Sequence, residues 1–378
     1  MERNPRILIL TASYGDGHLQ AARSLKAAFE QQETGLVHIM DLMKEAHPII
    51  NKITTTLYIK SMLTSQFGFD YYGWSYYLTR DSNPYAGWNR YFNAMGKKKL
   101  KQRVEQDRPD AIVCTFPFGA VPELCEQEGI PAFTVVTDFS LHSRWIHPKI
   151  DKYYVATEDL REELVSRGIS RRNVMVSGIP IRKAFEQTTD REANSFADLF
   201  DKNRKTILIL AGSYGVLGSI EDMIQALIRN TGCQLAVVCG RNQKLEGKLR
   251  LKYGHEPHVR IFGFVEQMQD LMAVSSCIVT KAGGLTLSEA IAMQVPVFIF
   301  KPFAGQEKEN AAYLSGKGAA RIARSTEELA GQIAQLLAEE TTGAQMRRQM
   351  ALLRKPSAAG LIVQDVLHYV KERASILI

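Results

Sequence analysis

Three places along the chain set glycines between an apolar run and an amphipathic one: Tyr14-Gly15-Asp16-Gly17-His18, Gly212-Ser213-Tyr214-Gly215 and Lys281-Ala282-Gly283-Gly284-Leu285-Thr286. A strand that ends in a glycine-rich turn and opens a helix gathers free backbone N–H groups at the positive helix end, which is an anion site. Taken singly, each loop also has a plainer reading, because glycine at such a turn satisfies backbone geometry alone. The first loop adds His18, which taken alone reads as a helix-start residue hydrogen-bonded to backbone. The third continues as TKAGGLTLSEAIAMQVPVFIFKPFAGQEKENAAYL. Its helix carries Glu289, a carboxylate able to accept from two vicinal hydroxyls such as those of a ribose. A following loop presents Gln306, Glu307 and Asn310, side chains that donate and accept as a sugar requires.

Other phosphate chemistries are excluded or disfavoured by the same residues. The first loop fits G-x-G-x-x-G only at Gly15 and Gly17, since Gln20 takes the third position, although Asp41 lies near the distance of a ribose-binding acid. No G-x-x-x-x-G-K-[ST] occurs, and no D-x-D that would hold a magnesium ion against a diphosphate.

The elements that must position these residues repeat. Residues 7 to 15 read ILILTASYG and residues 207 to 215 read ILILAGSYG, each followed by an amphipathic stretch, so strand, loop and helix open both halves. Further strands are expected at VHIM, AIVCTF, AFTVVT and KYYVAT in the first half and at QLAVVCG, VRIFGF, CIVT and VPVFIF in the second. Apolar runs alternating with helices predict an α/β chain of two Rossmann-like domains with parallel sheets. The joint is expected between Ile181 and Lys205, with a last helix near Ala359 to Arg373.

Charge is equally uneven. The whole chain has 47 Lys and Arg against 40 Asp and Glu, and the stretch from Ala46 to Arg103, with nine cations and two anions, holds the entire net charge of +7. Residues 67 to 92 carry 11 of the 33 aromatic residues, Trp74 and Trp88 among them, just ahead of GKKKLKQR. Rings beside such a cluster suit an anionic membrane surface or single-stranded nucleic acid; a Tyr-rich helix packed inward is the plainer alternative. The five cysteines include no C-x-x-C pair, which argues against a disulfide framework and against structural zinc. No signal peptide and no 18-residue apolar stretch is present, so a cytoplasmic protein without a membrane span is expected.

Together GDGH, FPFGAVPEL, VVTDFSLHSRWIHPKIDKYYVAT, SGIPIR, AGSYGVLGSI, VVCGRN, GFVEQMQDLM, TKAGGLTLSEA and KPFAGQEKENA resemble the monogalactosyldiacylglycerol synthase family, most of all the bacterial processive diacylglycerol β-glucosyltransferases, from about Arg6 to the last helix. The resemblance implies a GT-B glycosyltransferase whose two Rossmann-like domains face a cleft. Residues 1–181 would hold the acceptor lipid and the membrane and residues 205–358 the UDP-sugar; the sequence itself leaves the last helix, residues 359–378, free to pack back on either half, the first domain being the candidate. It implies an inverting transfer with no metal and no cofactor, from UDP-glucose to diacylglycerol, on the inner face of the cell membrane with anionic lipids as partners and no nucleic acid. The absence of a plastid-type N-terminal extension favours glucose; UDP-galactose is the alternative donor. A soluble UDP-sugar epimerase and a non-catalytic UDP-sugar-sensing regulator are the readings from other classes. Residue by residue, His18 becomes the catalytic base, with Asp138 and His142 on the acceptor side. The nucleotide-sugar set becomes Gly17, Gly212, Ser213, Tyr214, Gly215, Arg241, Gly283, Gly284, Leu285, Thr286 and Asn310, together with Phe264 and Val265 at the base, Glu289 on ribose, and Gln306 and Glu307 on the transferred sugar. Trp74, Trp88, Lys97, Lys98, Lys99, Lys101 and Arg103 become membrane contacts.

Overall fold

Two five-residue apolar runs, ILILT and TILIL, are buried at every position because each lies between two neighbouring strands and is covered on both faces. The computed structural model describes residues 4–13, 16–32, 34–49, 76–77, 80, 96–187, 194–212 and 217–376. These form two compact units, one running through Lys183 and resuming at Lys355, the other spanning Ala184–Arg354.

In the first unit the strands are β1 (Ile7–Thr11), β2 (Val37–Asp41), β3 (Ala111–Cys114), β4 (Ala132–Val135), β5 (Lys152–Val155) and β6 (Val174–Val176), in the spatial order 2-1-3-4-5-6. In the second they are β7 (Thr206–Leu210), β8 (Gln234–Val238), β9 (Val259–Phe262), β10 (Cys277–Thr280), β11 (Val297–Phe300) and β12 (Ala320–Ala323), in the order 9-8-7-10-11-12. All neighbours are parallel, and the sequence repeat persists in the register: Ile9 lies across from Ile39 and Val113 as Ile209 lies across from Val237 and Val279. The sequence pattern had not indicated β6 and β12. Both are short edge strands: β6 is an apolar run of only three residues, and Arg321 interrupts β12.

Each sheet has one place where the chain reverses its direction of travel across the strands, between β1 and β3 in the first and between β7 and β10 in the second. In open α/β sheets ligands bind beyond the carboxyl ends of the strands at this switch point. The loops that leave β1, β7 and β10 there are the three glycine loops.

Helices cover the sheets with apolar faces. Asp16–Glu30 buries Ala21, Ala22, Leu25 and Phe29, and Ile220–Thr231 buries Ile220, Met223, Ile224 and Leu227, both at helical spacing. The last helix, Ala358–Ile376, belongs to the first unit, where Ile362, Val363, Val366 and Val370 join the core formed by Ile9, Ala22 and Phe133. Its polar side is tied down as well. Asp365 accepts from Lys152 Nζ and Tyr154 Oη, both at 2.7 Å, and Tyr369 Oη donates to Asp151 at 2.8 Å. Among the described residues no helix is long and apolar enough to cross a membrane.

Gly178 stands where that returning segment meets the first sheet. It has φ +85°, and a Cβ there would lie 2.7 Å from Lys355 Cβ. Gly178→Ala therefore combines left-handed strain with a close clash, and thermal or urea unfolding should register a loss on the order of 1–3 kcal/mol.

Candidate active site

At the first switch point His18 is the third residue of the helix Asp16–Glu30, and the ends of two other strands hold it. Thr115, just after β3, donates its hydroxyl to the His18 carbonyl at 3.0 Å, and Thr137, two residues after β4, lies 2.8 Å from Nδ1 of the ring. Phe116 meets the imidazole edge-on with centroids 5.2 Å apart, and Trp145 lies tilted at 6.4 Å. Burial among these groups lowers the His18 pKa from its ordinary 6.5, outweighing the negative Asp138, which raises it. The ring is therefore neutral at pH 7, the state a general base needs.

The remaining first-unit candidates occupy different settings. Gly17 lies in the opening turn of the same helix. Asp138 is buried and acts on His18 through its charge. His142 is also buried; its Nδ1 accepts from Arg144 N at 3.1 Å, which caps a short turn, and its ring meets Tyr76 edge-on at 4.9 Å. Asp41 accepts from Ser13 Oγ and, at 3.0 Å, from Lys44 N, so its carboxylate serves the chain locally. Lys97, Lys98 and Lys99 fill the first turn of the helix Lys97–Asp107, whose Leu100 and Val104 face inward. Lys98 and Lys101 are exposed, whereas Arg103 is matched by Glu45 at 3.4 Å and Asp107 at 3.7 Å. Trp74 and Trp88 lie outside the described residues.

At the second switch point Gly283 precedes the helix Gly284–Met293, and among the described residues no side chain caps its start. The amides of Gly284, Leu285 and Thr286 open the helix with no partner inside it, at its positive end. Gly283 itself has φ −73°, and a Cβ on it would meet nothing within 4 Å. Neither backbone strain nor packing demands glycine there, so its use keeps open the space in front of those amides. If this loop takes the UDP-sugar that the family resemblance implies, Gly283→Ala should leave the melting temperature nearly unchanged while weakening binding of UDP, which calorimetry would measure. Equal affinity in the two proteins would remove the diphosphate from this loop.

Further residues converge from neighbouring loops. Lys281, at the end of β10, pairs with Glu307 at 2.6 Å, and Asn310, fully buried, donates to the Ala282 carbonyl at 3.1 Å. The helix Gln306–Gly316 thereby grips the loop from one side, with partly exposed Gln306 at its head. Glu307 is only 8% exposed, and its second carboxylate oxygen, Oε2, is buried without a hydrogen-bond partner among the described residues. Such an oxygen is costly unless a ligand completes it. Glu289 is buried in the helix Gly284–Met293. Beyond β8 and β9, Arg241 lies over the ring of Phe264 at 5.1 Å; the ring is 58% exposed, with Val265 beside it in sequence, and offers a flat face to a planar ligand. Gly212 follows β7; Ser213, Tyr214 and Gly215 lie outside the described residues.

Sequence reasoning missed Thr115, Thr137 and the ion pair between Lys281 and Glu307. Thr137 directly precedes Asp138 in the TDFSLH motif, which was the available signal.

Comparison with known proteins agrees with this arrangement. Residues 18–181 match the family model for monogalactosyldiacylglycerol (MGDG) synthase, and residues 206–362 match that for the glycosyltransferase family 28 C-terminal domain. A processive diacylglycerol beta-glucosyltransferase from Bacillus cytotoxicus is 40% identical over 97% of this chain and 94% of its own length. Among solved structures, MnaA of S. aureus with UDP superposes with a TM-score of 0.67 at 15% identity, covering 97% of both chains. MurG of Acinetobacter baumannii gives 0.61 at 16% identity, covering 97% of this chain and all of its own. At such identities these two share the fold, a GT-B arrangement of parallel-sheet domains. The similarity along nearly the whole length to the Bacillus enzyme decides the rest: the chain belongs to the monogalactosyldiacylglycerol synthase family of glycosyltransferases.

Proposed function

We propose that this enzyme transfers glucose from UDP-glucose to the free hydroxyl of diacylglycerol by a single inverting displacement that requires no metal ion. The observation that carries the reading is the 40% identity over 97% of the chain to a relative named for that acceptor, for glucose and for a β product. The geometry is what the chemistry needs. A lipid hydroxyl attacks poorly until a base takes its proton, and His18 is a neutral imidazole held at a switch point. As the hydroxyl oxygen bonds to the anomeric carbon, its proton passes to His18 and the bond from that carbon to the UDP oxygen breaks. Negative charge grows on the diphosphate, where the amides of Gly284, Leu285 and Thr286 stabilise it without a cation. Glu307 and Gln306 hold the hexose, Glu289 the ribose, and Phe264 with Arg241 the uracil.

Incubating the enzyme and diacylglycerol vesicles with each UDP-sugar in excess chelator tests the proposal. Glucosyldiacylglycerol is the expected product. Strict dependence on a divalent cation would overturn the metal-free step, and preference for UDP-galactose would change the donor. Release of a free epimerised sugar nucleotide with no lipid product would make the chain an epimerase.

The acceptor dissolves in membranes, and we assign the docking face to the helix Lys97–Asp107. Three lysines in a first turn oppose the helix dipole, and an anionic surface offsets that cost. Changing Lys97, Lys98 and Lys99 to Ser should cut binding to anionic vesicles by roughly 1 kcal/mol per cation, an effect that high salt reproduces in part, without lowering the melting temperature. Arg103, already paired, should matter little to vesicle binding. Sedimentation of the triple variant with vesicles as efficiently as the parent would place the docking face elsewhere.

A further inference from the structure

We infer that Thr137 fixes the tautomer and the aim of His18, holding its proton on Nδ1 so that Nε2 remains the basic nitrogen; the inference rests on reading His18 as the proton acceptor. Thr137 is suited to this by how it is held. It is buried at 4% exposure, its β-branched side chain has little rotameric freedom, and the preceding residue, Val136, is tied by its amide to the Tyr154 carbonyl at 2.9 Å. The backbone of His18 is fixed from another strand end by Thr115, whose own amide donates to the Leu10 carbonyl at 2.9 Å. With its main chain anchored and its ring edge against Phe116, the imidazole has Nδ1 2.8 Å from Thr137 Oγ1, and a bond to the Thr115 backbone favours its protonated form.

A neutral imidazole carries a single N–H. If the threonine hydroxyl donates to Nδ1, the proton sits on Nε2 and that nitrogen cannot act as a base. If Nδ1–H donates to the hydroxyl oxygen, Nε2 keeps its lone pair for the acceptor. The second arrangement also survives the reaction, because the imidazolium formed by proton transfer still donates from Nδ1 to the same oxygen. A hydroxyl in this position differs from a carboxylate in adding no full charge, so it orients the ring without raising its proton affinity much. The charged group facing the ring is Asp138, the residue after Thr137, which favours the imidazolium. Orientation and charge stabilisation are thus divided between two consecutive residues, with Thr137 as the positioning residue.

The test uses the full chain labelled with 15N-histidine, the His18 signals being assigned by their loss in His18→Gln. At a pH where His18 is neutral, the parent should give a protonated Nδ1 and an unprotonated Nε2. Thr137→Val, which keeps the shape and removes the hydroxyl, should shift His18 toward the Nε2–H form. It should also lower kcat by roughly 10- to 100-fold, part of the 10² to 10⁴ that a general base supplies, with KM for UDP-glucose unchanged. Thr137→Ser should restore both the spectrum and kcat. An Nε2–H tautomer in the parent, or a Thr137→Val protein with the parent's spectrum and turnover, would overturn the inference. Full turnover by His18→Ala alongside the expected spectral shift would instead remove the base reading and leave the tautomer assignment standing.

Discussion

His18→Ala should lower turnover by about 10² to 10⁴ while UDP binds as before, because the variant loses the proton acceptor and nothing in the second unit changes. The pH dependence carries a signed corollary. A general base must be unprotonated, so kcat/KM falls as pH drops through its pKa. Burial lowers that pKa below 6.5, so the acid limb should lie below 6.5 and activity should persist through mildly acidic pH. Asp138 raises the same pKa, so Asp138→Asn should move the acid limb further down, and a move upward would contradict the assignment. Rate profiles across pH for the parent and the Asn variant decide between them. If His18→Ala lost UDP affinity and kept its turnover, the roles given to the two units would be reversed.

Glu307→Gln should produce the other large effect, on the donor side. In the parent one carboxylate oxygen is held by Lys281 and the other is buried and unpartnered among the described residues. A hydrogen bond to a charged group is worth about 1.5–3 kcal/mol, so kcat/KM for UDP-glucose should fall by roughly 10- to 150-fold. Glutamine keeps the shape and leaves Lys281 without a counter-charge. The discriminating measurement is calorimetry with two ligands: UDP alone should bind the variant as it binds the parent, since it lacks the hexose, whereas UDP-glucose should bind more weakly. Equal losses for both ligands would mean that Glu307 acts by bracing the diphosphate loop.

The fold was legible where burial is continuous. The repeated ILIL runs announced two parallel sheets because strands flanked on both sides have no polar alternation, and the glycine loops marked the switch points because strand, turn and helix are contiguous there. The edge strands β6 and β12 were not legible, since β6 is only three residues long and Arg321 interrupts β12. At the site, Glu307 stands in a loop whose residue types suit a sugar, and His18 takes its role from the GDGH loop and the family resemblance. Thr137 was not legible, because a threonine at a strand end is an ordinary β-former and its contact with His18 spans 119 positions of sequence. Lys281 stands at the head of a glycine loop, but only the fold brings Glu307, 26 positions on, to pair with it. Arg103 looked like one more cation in a basic run, and only the packing of its helix provides Glu45 and Asp107 to neutralise it.

A single displacement by a lipid hydroxyl activated by His18 inverts the anomeric centre, so the configuration of the product reports on the mechanism. UDP-α-glucose and diacylglycerol, incubated with the enzyme in excess chelator, should yield a lipid whose anomeric proton has the large coupling of a β-glucoside in its NMR spectrum. An α-glucoside, formed with retention, would require either a covalent enzyme intermediate or front-face attack, and would contradict a mechanism in which His18 serves only as a base.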